Sequence, residues 1–93
     1  AYFFLIVESM IAAGVELGLS REVAQELTIQ TLIGAGSMLA GAGADPATLR
    51  ANVTSPNGTT AAALQVLQES GLGEIFSKAL TAARDRSREL ASG

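Results

Sequence analysis

Apolar residues recur at three- and four-residue steps along nearly the whole chain, and no stretch sustains the alternation of a half-buried strand. The pattern predicts an all-α protein of five helices. The first is expected from about Tyr2 to Leu17, with Phe4, Val7, Ile11 and Val15 stepping along one face and Glu8, Ala12 and Glu16 along another. Gly18 is its natural stop, since glycine takes positive φ at least cost. Ser20 is a good N-cap for the second helix, and Glu22 and Glu26 suit the positive end of its dipole.

From Leu27 to Leu39 that second helix is apolar nearly all round: Leu27, Ile29, Leu32, Ile33, Ala35, Met38 and Leu39. A helix without a polar face expects protein on every side. Gly34 and Gly36 each cost about 1 kcal/mol against alanine, so other helices are expected to cross closely there. A chain of 93 residues has little left with which to surround it, and a second copy is the expected supplier. The competing reading is a membrane span, because Leu27–Ala44 is an uncharged run of eighteen residues. Thr28, Gln30, Thr31 and Ser37, the glycines and the lack of close basic flanks favour a buried helix instead.

Gly41–Ala44 ends this segment. Asp45-Pro46 restarts the chain as N-cap and first helical residue, giving a short third helix to about Asn52. Thr54–Thr60 is a turn in chemistry and composition. A fourth helix is expected from Thr60 to about Ser70, stopping at Gly71. The fifth runs from about Gly73 to Leu90, with Ile75, Phe76, Ala79, Leu80 and Ala83 inward. Glu74, Lys78, Asp85 and Arg88 lie on its wet side, Glu74 and Lys78 forming an i,i+4 pair.

Composition removes several functions. Apolar residues make up 48% and charged residues 16%, so the chain is no disordered tail. A net charge of -3 argues against nucleic acid as a partner. Without Cys or His there are no disulfides, thiol nucleophiles, imidazole bases or ordinary zinc sites, and no metal is expected. Ala1–Val7 lacks the basic start of a secretory leader, so a cytoplasmic location is expected. The chain begins at Ala1 on an apolar run and reads as a piece of something longer.

Thr54-Ser55-Pro56-Asn57-Gly58-Thr59-Thr60 is the one constellation that suggests chemistry. Four of its seven residues carry hydroxyls, Pro56 stiffens it, and Asn57-Gly58 tolerates left-handed backbone angles. It opens into a helix whose first turns, Ala61-Ala62-Ala63, are small and uncharged. Free N–H groups and the positive dipole end at such a start receive a small carboxylate or phosphate without Arg or Lys. The plainer alternative is a hydroxyl-rich cap that ends one helix and begins another.

Other features carry less. Gly34-Ala35-Gly36 and Gly41-Ala42-Gly43 lack the preceding strand of a phosphate loop, and helix packing explains them better. Asn52-Val53-Thr54 and Asn57-Gly58-Thr59 match the glycosylation sequon without a secretion signal. Arg84, Arg86 and Arg88 are interleaved with Asp85 and Glu89, as at a solvated helix end. Glu8 and Glu16 are about 12 Å apart along one helix, too far to act as an acid/base pair.

At the turn the chain resembles a known family. Asn52 to Leu64 (NVTSPNGTTAAAL) is similar to the signature of pyrroline-5-carboxylate reductase, the last enzyme of proline biosynthesis, usually T-S-P-G-G-T-T followed by small residues and Leu. Ala1-Tyr2-Phe3-Phe4 resembles the segment after the family's S-G-P. Ala13-Gly14-Val15 through Gly18-Leu19-Ser20-Arg21 resembles its A-G-V-x-x-G-L-x-R stretch. Gln30-Thr31 before Gly34-Ala35, Leu67 to Gly71, and Arg86-Ser87-Arg88-Glu89-Leu90 also have counterparts. The resemblance covers the whole chain.

It implies that residues 1–93 are the C-terminal helical domain, for dimerisation and substrate binding, of an enzyme whose N-terminal Rossmann domain is absent here. Two such domains interleave in the family's dimer, and several members gather dimers into decamers. The family reduces 1-pyrroline-5-carboxylate to L-proline with NADPH or NADH, and this fragment alone is expected to bind no cofactor and to be inactive. Ser55, Gly58, Thr59 and Thr60 would surround the substrate carboxylate, with Thr60 as the catalytic hydroxyl toward the ring nitrogen. Asn57 departs from the family's first glycine. It is expected to keep the loop, since Asn tolerates left-handed φ, while its side chain narrows the pocket. Two other readings stay open here: a freestanding helical oligomerisation module without activity, and the helical domain of a related Rossmann-fold dehydrogenase.

Overall fold

A computed structural model describes all of residues 1–93. The chain is five helices without a strand: α1 Tyr2–Glu16, α2 Arg21–Leu39, α3 Pro46–Asn52, α4 Thr59–Glu69 and α5 Leu72–Ser92. Contacts divide it into two compact units, Ala1–Thr48 and Leu49–Gly93.

In the first unit, α1 ends where glycine permits it. The Leu17 and Gly18 N–H groups donate to the Ala13 and Val15 carbonyls at 3.0 Å each, and Gly18 sits at φ +107. Ser20, in extended backbone, starts α2 by accepting from the Val23 N–H at 3.2 Å. The two helices pack on each other. Their contact is small: Ile11 and Ala24 alone are buried, at 6% and 2% exposure. Gly14 makes the approach possible, because a Cβ there would lie 3.1 Å from the Ala24 Cβ.

Beyond that contact the apolar surface of α2 is bare. Ile33 is 57% and Met38 54% exposed, and Gly34 and Gly36 face open space. The helix crossing expected at these glycines is not made within the first unit. No helix is long and apolar enough to cross a membrane.

Asp45 begins α3 as expected. Its carboxylate accepts from the Thr48 hydroxyl at 2.7 Å and the Thr48 N–H at 3.0 Å. The hydroxyl bond first, and the backbone bond second, hold the Asp45 carboxyl below the ordinary carboxylate range. A lowered pKa in the folded state means that the cap contributes fully above the unfolded value and is lost as pH falls through the lowered one. Amide exchange in α3 should therefore accelerate in acid below the usual carboxylate range. Asp45→Asn, which still caps but does not titrate, should flatten that acid limb; an unchanged limb would remove Asp45 as its cause.

In the second unit, α4 begins one residue earlier than the pattern suggested, at Thr59. Gly71 links α4 to α5 at φ +81. The fifth helix also starts one residue early, at Leu72, and runs on to Ser92. Of its expected inward stripe Phe76 is half-buried, whereas Ile75 is 56% and Leu80 52% exposed. The expected Glu74–Lys78 pair does not form. Glu74 folds back instead toward the start of α5, where the helix dipole is positive, its Oε2 3.6 Å from where a Gly71 Cβ would stand. At the other end Arg84 pairs with Asp85 at 2.9 Å and Arg86 with Glu89 at 3.0 Å, the self-neutralised helix end that the interleaved charges implied.

Candidate functional site: the turn before α4

The turn is built in three steps, each with a local cause. Thr54 closes α3 by donating its hydroxyl to the Arg50 carbonyl at 2.6 Å. Ser55 to Gly58 then forms a β-turn in which the Gly58 N–H donates to the Ser55 carbonyl at 3.1 Å. Pro56 occupies its second position and Asn57, at φ +61, its third, the sequence preference of a type II turn. Asn57 is the chain's only non-glycine residue at positive φ. As the departure from the family glycine led one to expect, asparagine keeps the left-handed corner.

Gly58 is needed for space, not for its backbone angle, which at φ -85 is ordinary. A Cβ there would stand 3.2 Å from the Ser55 carbonyl oxygen and 3.4 Å from the Ser55 Cβ. The lack of a side chain lets the chain fold tightly over Ser55 and enter α4 at once. The first intrahelical bond is Ala62 N–H to Gly58 carbonyl at 3.1 Å.

The N–H groups of Thr59, Thr60 and Ala61 therefore have no partner within the helix. No side chain caps them, and no acidic residue lies in the first turn of α4. Both α2 and α3 have side-chain caps. α4, like α1 and α5, has no side-chain cap, and its three donors and positive dipole end, equivalent to roughly half a charge, stay open to solvent or to an anion. Ser55, Thr59 and Thr60 stand exposed around them, with Gly58 half-buried.

All four expected site residues are thus brought into one turn. The plainer alternative, a hydroxyl-rich cap, holds for Thr54 at the end of α3 and fails at the start of α4. Ala61 belongs to the same set of donors through its backbone N–H. The signal for it was an absence: no Asp, Glu or capping contact in the first turn. This arrangement can hold a small carboxylate by backbone donors and hydroxyls without any fixed cation.

The two glycine pairs of the first unit do not form a strand-to-helix phosphate loop. Gly34 and Gly36 lie inside α2, Gly41 and Gly43 fall in the turn after it, and no strand leads into either pair. No group of three acidic side chains gathers as a metal site would require.

An all-helical domain whose apolar faces are left bare defines a class: a module that associates with other protein. The chain belongs to the pyrroline-5-carboxylate reductase dimerisation family, whose model matches residues 1–90. It is 52% identical over 91 residues to the pyrroline-5-carboxylate reductase of Pseudomonas aeruginosa, a match covering 98% of this chain and 33% of that protein. The structure of a pyrroline-5-carboxylate reductase from Coxiella burnetii superposes with a TM-score of 0.91 at 47% identity, over 96% of this chain and 33% of that one. A pyrroline carboxylate reductase of Plasmodium falciparum, solved with NADP bound, gives 0.88 at 36% identity, over 92% and 33%. The chain spans about a third of the length of the curated relatives it matches.

Proposed function

We propose that this chain is the dimerisation and substrate-carboxylate-binding domain of a pyrroline-5-carboxylate reductase, an oxidoreductase that forms L-proline from 1-pyrroline-5-carboxylate with NADPH or NADH in the cytoplasm. The observation that carries the reading is the uncapped start of α4, three free N–H groups among the hydroxyls of Ser55, Thr59 and Thr60. It fits the one fixed charge of the substrate, a ring carboxylate. NADP in the Plasmodium falciparum relative supports a nicotinamide cofactor in the parent enzyme.

The cofactor supplies hydride to the C=N carbon from outside these residues. What this chain does is hold and aim the ring. Ser55 and Thr59 donate hydroxyl hydrogens to the carboxylate, and Gly58 lets backbone N–H groups approach it closely. The Thr60 hydroxyl reaches the ring nitrogen, where charge changes as the imine becomes an amine. Fixed donors of this kind stabilise the transition state because they need no reorganisation as charge shifts.

The bare apolar surface carries the second half of the proposal. Between α1 and α2 runs an apolar groove of about 160 Å³, lined among others by Phe3, Val7, Met10 and Leu32. With the exposed glycines of α2 and the open stripe of α5, it supplies what a second copy would cover. The two copies interleave and form one domain between them.

A turnover assay on the intact protein tests the reading. Supplied with 1-pyrroline-5-carboxylate and NADPH or NADH, it should consume the reduced nucleotide and release L-proline in equal amounts. Nucleotide oxidation without proline, or no turnover with either nucleotide, would overturn it.

A further inference from the structure

We propose that Asn57 is a site of spontaneous deamidation, and that the modification acts as a slow chemical clock on the carboxylate-binding turn. Asn57 is exposed, stands alone among non-glycine residues at positive φ, and is followed by Gly58. The reaction needs the backbone nitrogen after an asparagine to reach that asparagine's side-chain carbonyl carbon. Glycine leaves this nitrogen without a neighbouring side chain in the way.

The chemistry requires water and no other reactant. The Gly58 nitrogen loses its proton to solvent and attacks Cγ of Asn57, forming a new C–N bond. The bond from Cγ to Nδ2 breaks, and Nδ2 leaves as ammonia with protons from solvent. The resulting cyclic imide is opened by water at either carbonyl, giving aspartate or, with the backbone rerouted through the side chain, isoaspartate. Nothing is oxidised or reduced.

Two local features set the rate. The Gly58 N–H is bonded to the Ser55 carbonyl at 3.1 Å and must release it. One exposed hydrogen bond of this kind slows the step by less than about tenfold. Against it works the α4 start, whose uncapped donors and dipole favour negative charge close by, both in the tetrahedral intermediate and in the acidic product. Asn52 is an internal control. The following Val53 N–H is likewise bonded, to the Arg50 carbonyl at 3.3 Å, but the branched valine side chain shields its nitrogen.

The consequence for binding rests on the carboxylate reading above. A carboxylate at position 57 would face the substrate's own carboxylate, and the isoaspartate backbone would displace Gly58 from its fit over Ser55. The test ages the intact protein in mildly alkaline buffer and maps its peptides by mass spectrometry. Conversion at Asn57 should outrun that at Asn52 by an order of magnitude or more, and Asn57→Gly should abolish it. Equal, slow conversion at the two asparagines would overturn the proposal. In parallel, Asn57→Asp in the intact protein should raise KM for 1-pyrroline-5-carboxylate on the order of tenfold at low salt. Rapid conversion at Asn57 together with an unchanged KM would uphold the modification and sink the carboxylate reading of the turn.

Discussion

In the intact parent enzyme, Thr60→Ala should lower kcat/KM on the order of 10²-fold, as loss of one preorganised donor at a reacting atom typically does. Thr60 is exposed at the second position of α4. Alanine is an excellent helix former there, so neither the helix nor the turn should suffer. The backbone N–H of residue 60 also survives the change, which leaves carboxylate binding largely in place. The loss should therefore appear mainly in kcat, with KM changed little. Self-association, followed by light scattering on the same sample, should be unaltered. Unchanged kinetics would take the Thr60 hydroxyl out of the site, while an equal loss of activity and assembly would make its role structural.

The second large effect concerns the bare faces. The chain should be a dimer at micromolar concentration, burying upwards of about 2,000 Å² as obligate pairs do. Ile33→Asp places a charge at the middle of the exposed apolar length of α2. In a single chain this position is already open to solvent, so the substitution would cost little if no partner existed. Against a covered face, an unpaired buried carboxylate costs several kcal/mol, enough to abolish association. Sedimentation of the wild type as a folded monomer would contradict the proposal, as would an Ile33→Asp chain that dimerises normally.

The parts of this fold legible in the sequence are those decided by a few neighbouring atoms. Ser20 and Asp45 cap their helices because a short acceptor side chain meets the N–H three residues on. Gly18 and Gly71 take the positive φ values that end α1 and join α4 to α5. The turn was readable for the same reason. Pro56 and Asn57 are the residues that a corner with one left-handed position prefers.

What could not be read depends on longer reach or on choices between equal options. Gly34 and Gly36 suggested close helix crossings, but spacing does not say whose helix crosses. Ile75 and Leu80 were assigned inward from periodicity, which identifies an apolar face and not its cover. Glu74 had two favourable directions, toward Lys78 or toward its own helix start, and they differ by only a few tenths of a kcal/mol. In the site itself, the hydroxyl residues were evident. That Thr54 turns back to α3 and leaves α4 uncapped follows from backbone geometry that composition does not encode.

The crowding over Ser55 divides two adjacent positions by how much variety each admits. Position 57 asks only for a residue that accepts a left-handed corner, so asparagine can replace glycine there and a lineage can experiment with the pocket's rim. At position 58 a Cβ would stand 3.2 Å from the Ser55 carbonyl oxygen, so a side chain there requires the loop to give by a few tenths of an ångström. Substitutions that keep this turn should accordingly be cheaper on one side of a single peptide bond than on the other.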